Sequence, residues 1–471
     1  MAGEGSASWQ AWLSCVLLRR DAGGTHARMG TMWISRGLWR TAVAALAAGC
    51  AVVTVSGVRA AGAVPMTTRM SVSSAGAQDD GLNVGEAISA GGGLVAFTSN
   101  ATDLVPRATF TTQVYLHNRF TRRTTILSRG PTGAEGDRSS DSFQLSMSGD
   151  GQVVAFSSAA DNLVRHDRNR AGDVFVRDRR VGVTKLVSQT MSGAEANGTS
   201  DYPYASADGR FVAFDSLATN LVVGDTNRRA DVFVRDLQTG RIRLVSRSVS
   251  RGIANGLSFP VGISRHGRYV AFESQASNIV AGGTLGRMAV YVRDLATHRT
   301  VRVSPAGAKA PCYGTSMSSD GRYVVYDSKA ANLVASDTNH MEDVFVADRT
   351  THTLTRVSVA TGGTQQLGAD GAYADGGSIS ANGRTVAFAS IARNLVPGDT
   401  NTVYDVFVHD LVSNTTKRVS ISSAGRQGDR RSLDPRISAG GRWVAFFSDA
   451  RDLVAHDTNA RPDIFLHGPV G

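Results

Sequence analysis

One pattern is written seven times along this chain, and its most complete copy runs from Ser206 to Ser246 as SADGRFVAFDSLATNLVVGDTNRRADVFVRDLQTGRIRLVS. The aromatic of its Val-Ala-Phe element recurs at Phe97, Phe156, Phe214, Phe272, Tyr326, Phe388 and Phe446, at intervals of 59, 58, 58, 54, 62 and 58 residues. A unit of this size cannot bury its apolar face alone, so a nearly fixed period means an array of stacked supersecondary units.

Each unit reads as four strands. Arg210 to Phe214 and Asp231 to Val234 carry continuous apolar runs, the pattern of strands covered on both faces. Arg241 to Val245 alternates charge with aliphatic, as do Thr300 to Ser304 and Thr355 to Ser358, which marks a half-exposed outer strand protected from edge pairing by its arginines. The innermost strand is the stretch Tyr202 to Ser206, and Asp208-Gly209 then turns the chain tightly into the second strand. The prediction is an all-β fold, a seven-bladed β-propeller of four-stranded blades. The seventh copy stops at its third strand, Asp463 to Leu466, while Thr67 to Ser73 matches the missing outer strand and precedes the first copy. The N-terminal strand is therefore expected to complete the last blade.

Residues 1–63 read as a targeting segment and 64–471 as the propeller. Arg36 and Arg40 lead into an apolar stretch from Thr41 to Val55 followed by Ala61-Gly62-Ala63, the order of a secretory signal. Residues 1–28 lie upstream of Met29 and Met32 and fit a start codon placed too early. The apolar run is short for a membrane span, so no transmembrane segment is expected in the mature chain. Cys50 loosely resembles a lipidation site, but Ala47 stands where leucine is usual, and cleavage without an anchor is the preferred reading. A secreted or extracytoplasmic location follows. Of the three cysteines only Cys312 lies beyond the leader, which leaves no disulfide framework. Loss of the leader takes six arginines together with Glu4 and Asp21 and lowers the formal charge from +10 to +6. That charge is interspersed with aspartates rather than clustered with exposed aromatics, so nucleic acid is not an expected partner.

Ser-x-Asp-Gly-Arg, an apolar strand ending in Val-Ala-Phe, then Asp-Val-Phe-Val-Arg-Asp and a last strand ending in Val-Ser resembles the WD40-like propeller repeat of the C-terminal domain of TolB-type proteins. The resemblance covers residues 66–467. It departs from the usual pattern in having Ala205-Ser206-Ala207 where Trp-Ser-Pro is common, and no TolB-type N-terminal domain precedes the repeats. It implies the propeller fold, and the trafficking role of TolB does not carry over.

Five copies carry Asp-x-Asn-x-x-x-Asp between the second and third strands: Asp167, Asn169 and Asp173; Asp225, Asn227 and Asp231; Asp337, Asn339 and Asp343; Asp399, Asn401 and Asp405; Asp457, Asn459 and Asp463. Oxygen ligands so spaced could wrap calcium, the one cofactor the sequence suggests. Side chains that cap their own loop explain the motif as well, and this reading is preferred because a fixed glycine and a bidentate glutamate are missing. Copies one and four lack the motif, with Thr111-Thr112-Gln113 and Gly286-Arg287-Met288 nearby. A second element, Asn220-Leu221-Val222, is expected to plug the space between blades with its leucine and to cap a turn with its asparagine.

No Gly-x-Ser-x-Gly elbow, His-Glu-x-x-His or phosphate loop occurs. His117, His409 and His467 share one repeat position after the third strand, filled elsewhere by Arg177, Arg235, Arg293 and Ala347, which reads as a solvated strand end. Residues near the inner strands that break the repeat are the candidate ligand-binding set: Glu86, Asp201, Tyr204, Asp434 and Arg436. Two functions fit. The preferred one is a secreted binding or scaffolding module for a protein or a cell-envelope polymer; the alternative is an extracellular glycan- or peptide-cleaving enzyme with its site at the channel mouth.

Overall fold

In the computed structural model, which describes residues 64–140, 144–284, 286–367 and 377–470, every regular element is a β-strand. The leader, the start-codon reading and Cys50 lie outside the described residues. Strands pair in seven antiparallel sheets of four. Blades 1 to 6 take residues 83–126, 146–186, 200–244, 258–302, 313–356 and 378–418, each in chain order from the inner to the outer strand.

Blade 3 shows why these sequences make these strands. Its inner strand is Ser200–Ala205, its second Phe211–Ser216, its third Asp231–Asp236 and its outer Ile242–Leu244. Phe214 and Phe233 are register partners, both fully buried, with rings stacked at 5.9 Å. They press on Val153, Val174 and Val176 of blade 2, while Ala213, Val232 and Val234, on the opposite face, meet Val270, Phe272 and Tyr291 of blade 4. Burial on both faces is what the uninterrupted apolar runs require. Every blade repeats the stacked aromatic pair, with centroids 5.4 to 5.9 Å apart. The core is thus seven apolar layers between neighbouring blades.

The inner hairpin follows from Ser206-Ala207-Asp208-Gly209. Ser206 Oγ donates to Asp208 Oδ1 at 2.6 Å and accepts from the Phe211 N–H at 2.9 Å. Gly209 sits at φ 73°, a region open to glycine, and a Cβ there would come within 3.1 Å of Val153 on the neighbouring blade. Asn220 donates to the Glu195 carbonyl and accepts from the Asn197 N–H, in the loop that trails blade 2, while Leu221 enters the apolar layer between the two blades.

The end of the third strand differs from expectation. His117, His409 and His467 are buried, not solvated, and each Nδ1 lies 2.8 to 2.9 Å from an outer-strand threonine hydroxyl, Thr124, Thr416 and Thr67. The Thr416 hydroxyl in turn donates to the Val359 carbonyl of the preceding blade at 2.5 Å. Arg177 and Arg293 make the same contact with Thr184 and Thr300. The position stitches blades together, which explains why only hydrogen-bonding residues, with Ala347 the exception, occupy it.

Blade 7 closes the ring. Its inner, second and third strands are Ser432–Ile437, Val444–Ser448 and Asp463–Gly468, and its outer strand is Met66–Arg69, paired antiparallel with Met66 opposite Gly468 and Arg69 opposite Phe465. The pairing continues as the Met70 N–H donates to the Ile464 carbonyl at 2.7 Å, and Ser71 Oγ donates to Asp463 at 2.5 Å. Among the described residues no helix is long and apolar enough to cross a membrane.

Candidate functional site at the channel mouth

Inner strands of the blades do not run straight. Register shifts between Val84 and Glu86, Asp201 and Tyr204, Pro260 and Gly262, Gly314 and Ser316, and Leu433 and Arg436 mark a bulge in five of them. Bulges re-aim side chains and cluster beside functional sites. Three of these bulges are built on residues at positive φ: Gly85 at 55°, Tyr202 at 49° and Asp434 at 51°. For tyrosine that conformation is costly, and less so for aspartate.

These bulges open a cavity of about 840 Å³ at the end of the channel where the inner strands begin. Tyr202, Tyr204, Phe259 and Tyr313 supply aromatic faces to it, and Glu273, Asp327, Glu342 and Asp434 supply carboxyl groups, against the cations Lys329 and Arg436. Tyr202 and Tyr313 are each 44% exposed, and Tyr202 packs edge-on to Phe259 at 6.2 Å. Gly314 belongs to the wall because it touches Val261: a Cβ there would fall 2.4 Å from that side chain.

The acidic groups sit where burial perturbs them. Glu273, at the end of the second strand of blade 4, accepts the Gly314 N–H of blade 5 at 2.8 Å, yet burial pushes its carboxyl up to about 7. Burial pushes Asp327 well above the carboxylate range, and its hydrogen bond and repulsion with Glu342 add to the rise. Asp327 therefore keeps a proton that it can share with Glu342, whose carboxylate lies 3.8 Å from Lys329 Nζ. Burial pushes the Tyr204 hydroxyl up to about 12. The mouth thus holds acid groups shifted toward the protonated form beside aromatic faces.

Of the five residues expected at a ligand site, the structure brings Tyr204, Asp434 and Arg436 into the cavity wall. Arg436 reaches across the channel, its Nη2 donating to Gln144 of blade 2 at 3.0 Å and its Nε to the Glu86 carbonyl of blade 1 at 3.3 Å. Glu86 is fully buried behind this contact; burial and Asp434 push its carboxyl well up, so it packs as a neutral acid. Asp201 also stands outside the wall, accepting from Ser157 Oγ at 2.5 Å and facing Asp215 in register. Burial, with the Asp201 charge, raises Asp215 to about 8.

Sequence reasoning missed Glu273 and Asp327, together with the aromatics Phe259 and Tyr313. A signal existed. The residue after the core aromatic is Thr98, Ser157, Asp215, Glu273, Asp327, Ala389 and Phe447 through the seven copies, and only three consecutive blades make it acidic.

The Asp-x-Asn loops lie at the same end of the blades but farther from the axis. In blade 3 the Asn227 amide donates to Asp231 Oδ2 at 2.5 Å and to the Ala254 carbonyl at 2.9 Å, and its Oδ1 accepts from the Arg229 N–H at 2.8 Å. Ser246 Oγ donates to Asp231 Oδ1 at 2.5 Å. Blade 2 repeats this with Asn169, Asp173, Ala196 and Ser188. Blades 5, 6 and 7 keep the asparagine cap through Asn339, Asn401 and Asn459, and add an arginine. Arg356 bridges Asp337 and Asp343 at 3.4 and 3.3 Å, Arg418 bridges Asp399 and Asp405 at 3.4 and 3.2 Å, and Arg69 bridges Asp457 and Asp463 at 3.3 and 3.1 Å. In blade 1, Gln113 takes the place of the second aspartate and still accepts from Ser128 Oγ at 2.6 Å. Among the described residues no three His, Cys, Asp or Glu side chains converge as metal ligands would.

Solved structures share this architecture. An oligogalacturonate lyase in complex with manganese matches over 86% of this chain and 93% of its own, at 13% identity and a TM-score of 0.52. TolB from Acinetobacter baumannii matches over 76% of each chain at 14% identity and a TM-score of 0.38, and the β-propeller domain of the Trilobed protease from Pyrococcus furiosus over 78% and 89% at 11% identity and 0.48. The likeness is one of fold. No family model matches the sequence, and no curated protein does.

Proposed function

We propose that this chain is an exported propeller of the WD40-like kind that binds a segment of a protein or cell-envelope polymer in the cleft at its channel mouth. The observation that carries the reading is the pairing, in one cavity of about 840 Å³, of exposed aromatics with carboxyl groups that burial shifts toward the protonated form, Glu273 to about 7 and Asp327 well above its ordinary range. Aromatic faces bury the apolar side of a sugar ring or a side chain, and a few convergent polar groups fix its orientation. With Asp327 holding its proton and Lys329 and Arg436 set among the carboxyl groups, the cleft offers donors and acceptors together and favours a hydroxyl-rich, uncharged ligand over a polyanion. Calorimetry against neutral, cationic and anionic glycans and peptides tests this. Binding from the neutral class, weakened at least tenfold by Tyr313→Ala or Phe259→Ala, is the expected result; binding that ignores both substitutions overturns it.

The Asp327 and Glu342 pair supports a second reading, a hydrolase or lyase acting on the same ligand. Asp327, which holds its proton, can serve as the acid, and the Glu342 carboxyl beside it is placed for the opposite role. Product release from a bound polymer, abolished by Glu342→Gln with binding retained, would establish that reading; binding without turnover leaves the first.

A further inference from the structure

Five blades build the same loop, yet they do not finish it in the same way. The residue that precedes Val-Ser or Met-Ser in the outer strand is Arg356, Arg418 and Arg69 in blades 5, 6 and 7, and Leu186 and Leu244 in blades 2 and 3. Each arginine side chain is buried, 7 to 10% exposed, between the two aspartates of its loop. Arg356 and Arg418 also donate to the carbonyl just before the first aspartate, Ser336 at 3.2 Å and Gly398 at 3.5 Å. Blades 5 and 6 thus offer a pocket of two carboxylates and a main-chain oxygen, blade 7 a pair of carboxylates, and each fills it with a cation from its own chain.

Blades 2 and 3 keep the oxygens and replace the cation by a leucine. Asp225 is only 5% exposed, and among the described residues no side chain donates to either of its carboxylate oxygens, the Asn227 N–H being the one donor turned toward it. Asp167, half-buried, has one such buried oxygen, Oδ1, with the Asn169 N–H as its main-chain donor. Asp337, which likewise lacks side-chain hydrogen bonds, has Arg356 at 3.4 Å to compensate it. A carboxylate buried with so few donors is costly, and it either takes a proton or gains a compensating ligand.

We propose that the loops of blades 2 and 3 each hold a calcium ion where blades 5, 6 and 7 hold a guanidinium. In blade 3 the donors are the Asp225 carboxylate, Asp231 Oδ2 and the Gly224 carbonyl; in blade 2 they are Asp167, Asp173 Oδ2 and the His166 carbonyl, with water completing each shell. All are hard oxygens, which suits calcium and excludes the softer metals that seek nitrogen or sulfur. In blade 2 burial and the neighbouring Asp173 push Asp167 up to about 7, so a proton is the competitor that the metal must displace. Two carboxylates per site place the dissociation constant on the order of 0.1 to 1 mM, the range of extracellular modules. The inference is independent of what the central cleft binds.

Calorimetry of the chelator-treated chain titrated with calcium chloride, alongside its melting temperature, tests the assignment. Two ions per chain are expected, with a melting temperature that climbs as calcium is added, since a ligand bound only to the native state stabilises it by mass action. Leu186→Arg and Leu244→Arg should each remove one ion by supplying the guanidinium internally, and Arg356→Leu should create a third site. Should the arginine variants fail to fold by circular dichroism, Asp167→Asn and Asp225→Asn must each remove one ion instead. No heat and no thermal shift at millimolar calcium, or a stoichiometry that these substitutions leave unchanged, overturns the proposal.

Discussion

Phe214 and Asp215 are neighbours in sequence and face opposite ways, and much of the molecule's logic lies in that pair. Phe214 is fully buried against blade 2, so Phe214→Ala, like Phe388→Ala, should cost about 3 to 5 kcal/mol of stability in urea unfolding. A loss below about 1 kcal/mol would mean the layer collapses onto the void more fully than core positions usually do. Asp215 looks toward blade 4, and burial lifts its carboxyl from 3.8 to about 8. A folded-state value above the unfolded one means the native state holds the proton longer, so its stabilising effect is complete below about pH 4 and is lost as pH rises through 8. His117 and His467 act in the opposite sense, lowered by burial to about 4, so they reduce stability as pH falls from 6.5 toward 4. Unfolding free energy should therefore fall between about pH 6.5 and 8.5, where the carboxyls dominate, and Asp215→Asn should flatten that fall. A slope equal to that of the parent chain would show that Asp215 is ionised throughout. The aromatic was legible from the sequence because its period and its burial have one cause. The acid beside it was not, since a strand covered on both faces gives no sign of which end opens into the channel.

At the scale of the strand, the inner bulges decide where the cleft lies. Breaks in the repeat near the inner strands were readable, and Tyr204, Asp434 and Arg436, singled out that way, line the cleft. The second strand carries the acids instead, and they reach the cleft only because the next blade's inner strand bulges to meet them, as Gly314 does for Glu273. Three of the five bulges rest on a left-handed residue, which sequence marks only where it is glycine, and the other two carry no such mark. Gly85 occupies in blade 1 the bulge position that Asp434 occupies in blade 7, at φ 55° and 51°. Asp434→Gly should accordingly leave thermal stability unchanged or raise it by about 1 kcal/mol, the order of the left-handed penalty for a side chain, while weakening ligand binding in the cleft. A clear loss of stability would show that the Asp434 side chain, not its backbone, is what the fold requires.

The whole molecule is held by a seam. Its existence was legible because the piece missing from one end of the array stands at the other, but its strength was not: Arg69, read only as part of an outer strand, proves to be buried between Asp457 and Asp463. Deleting residues 64–74 removes the outer strand of blade 7 together with that guanidinium, leaving two facing carboxylates and an open edge. A large drop in melting temperature or aggregation is expected, and an unchanged melting curve would mean the ring does not depend on this closure. The seam also sets an order of events during synthesis. Thr67 emerges from the ribosome 400 residues ahead of His467, the partner to which it must hydrogen-bond. Six blades can form while translation continues, but the last strand to be made is needed to engage the first. A chain truncated anywhere short of that strand keeps a raw edge exposed, and so announces itself to proteases and chaperones as unfinished.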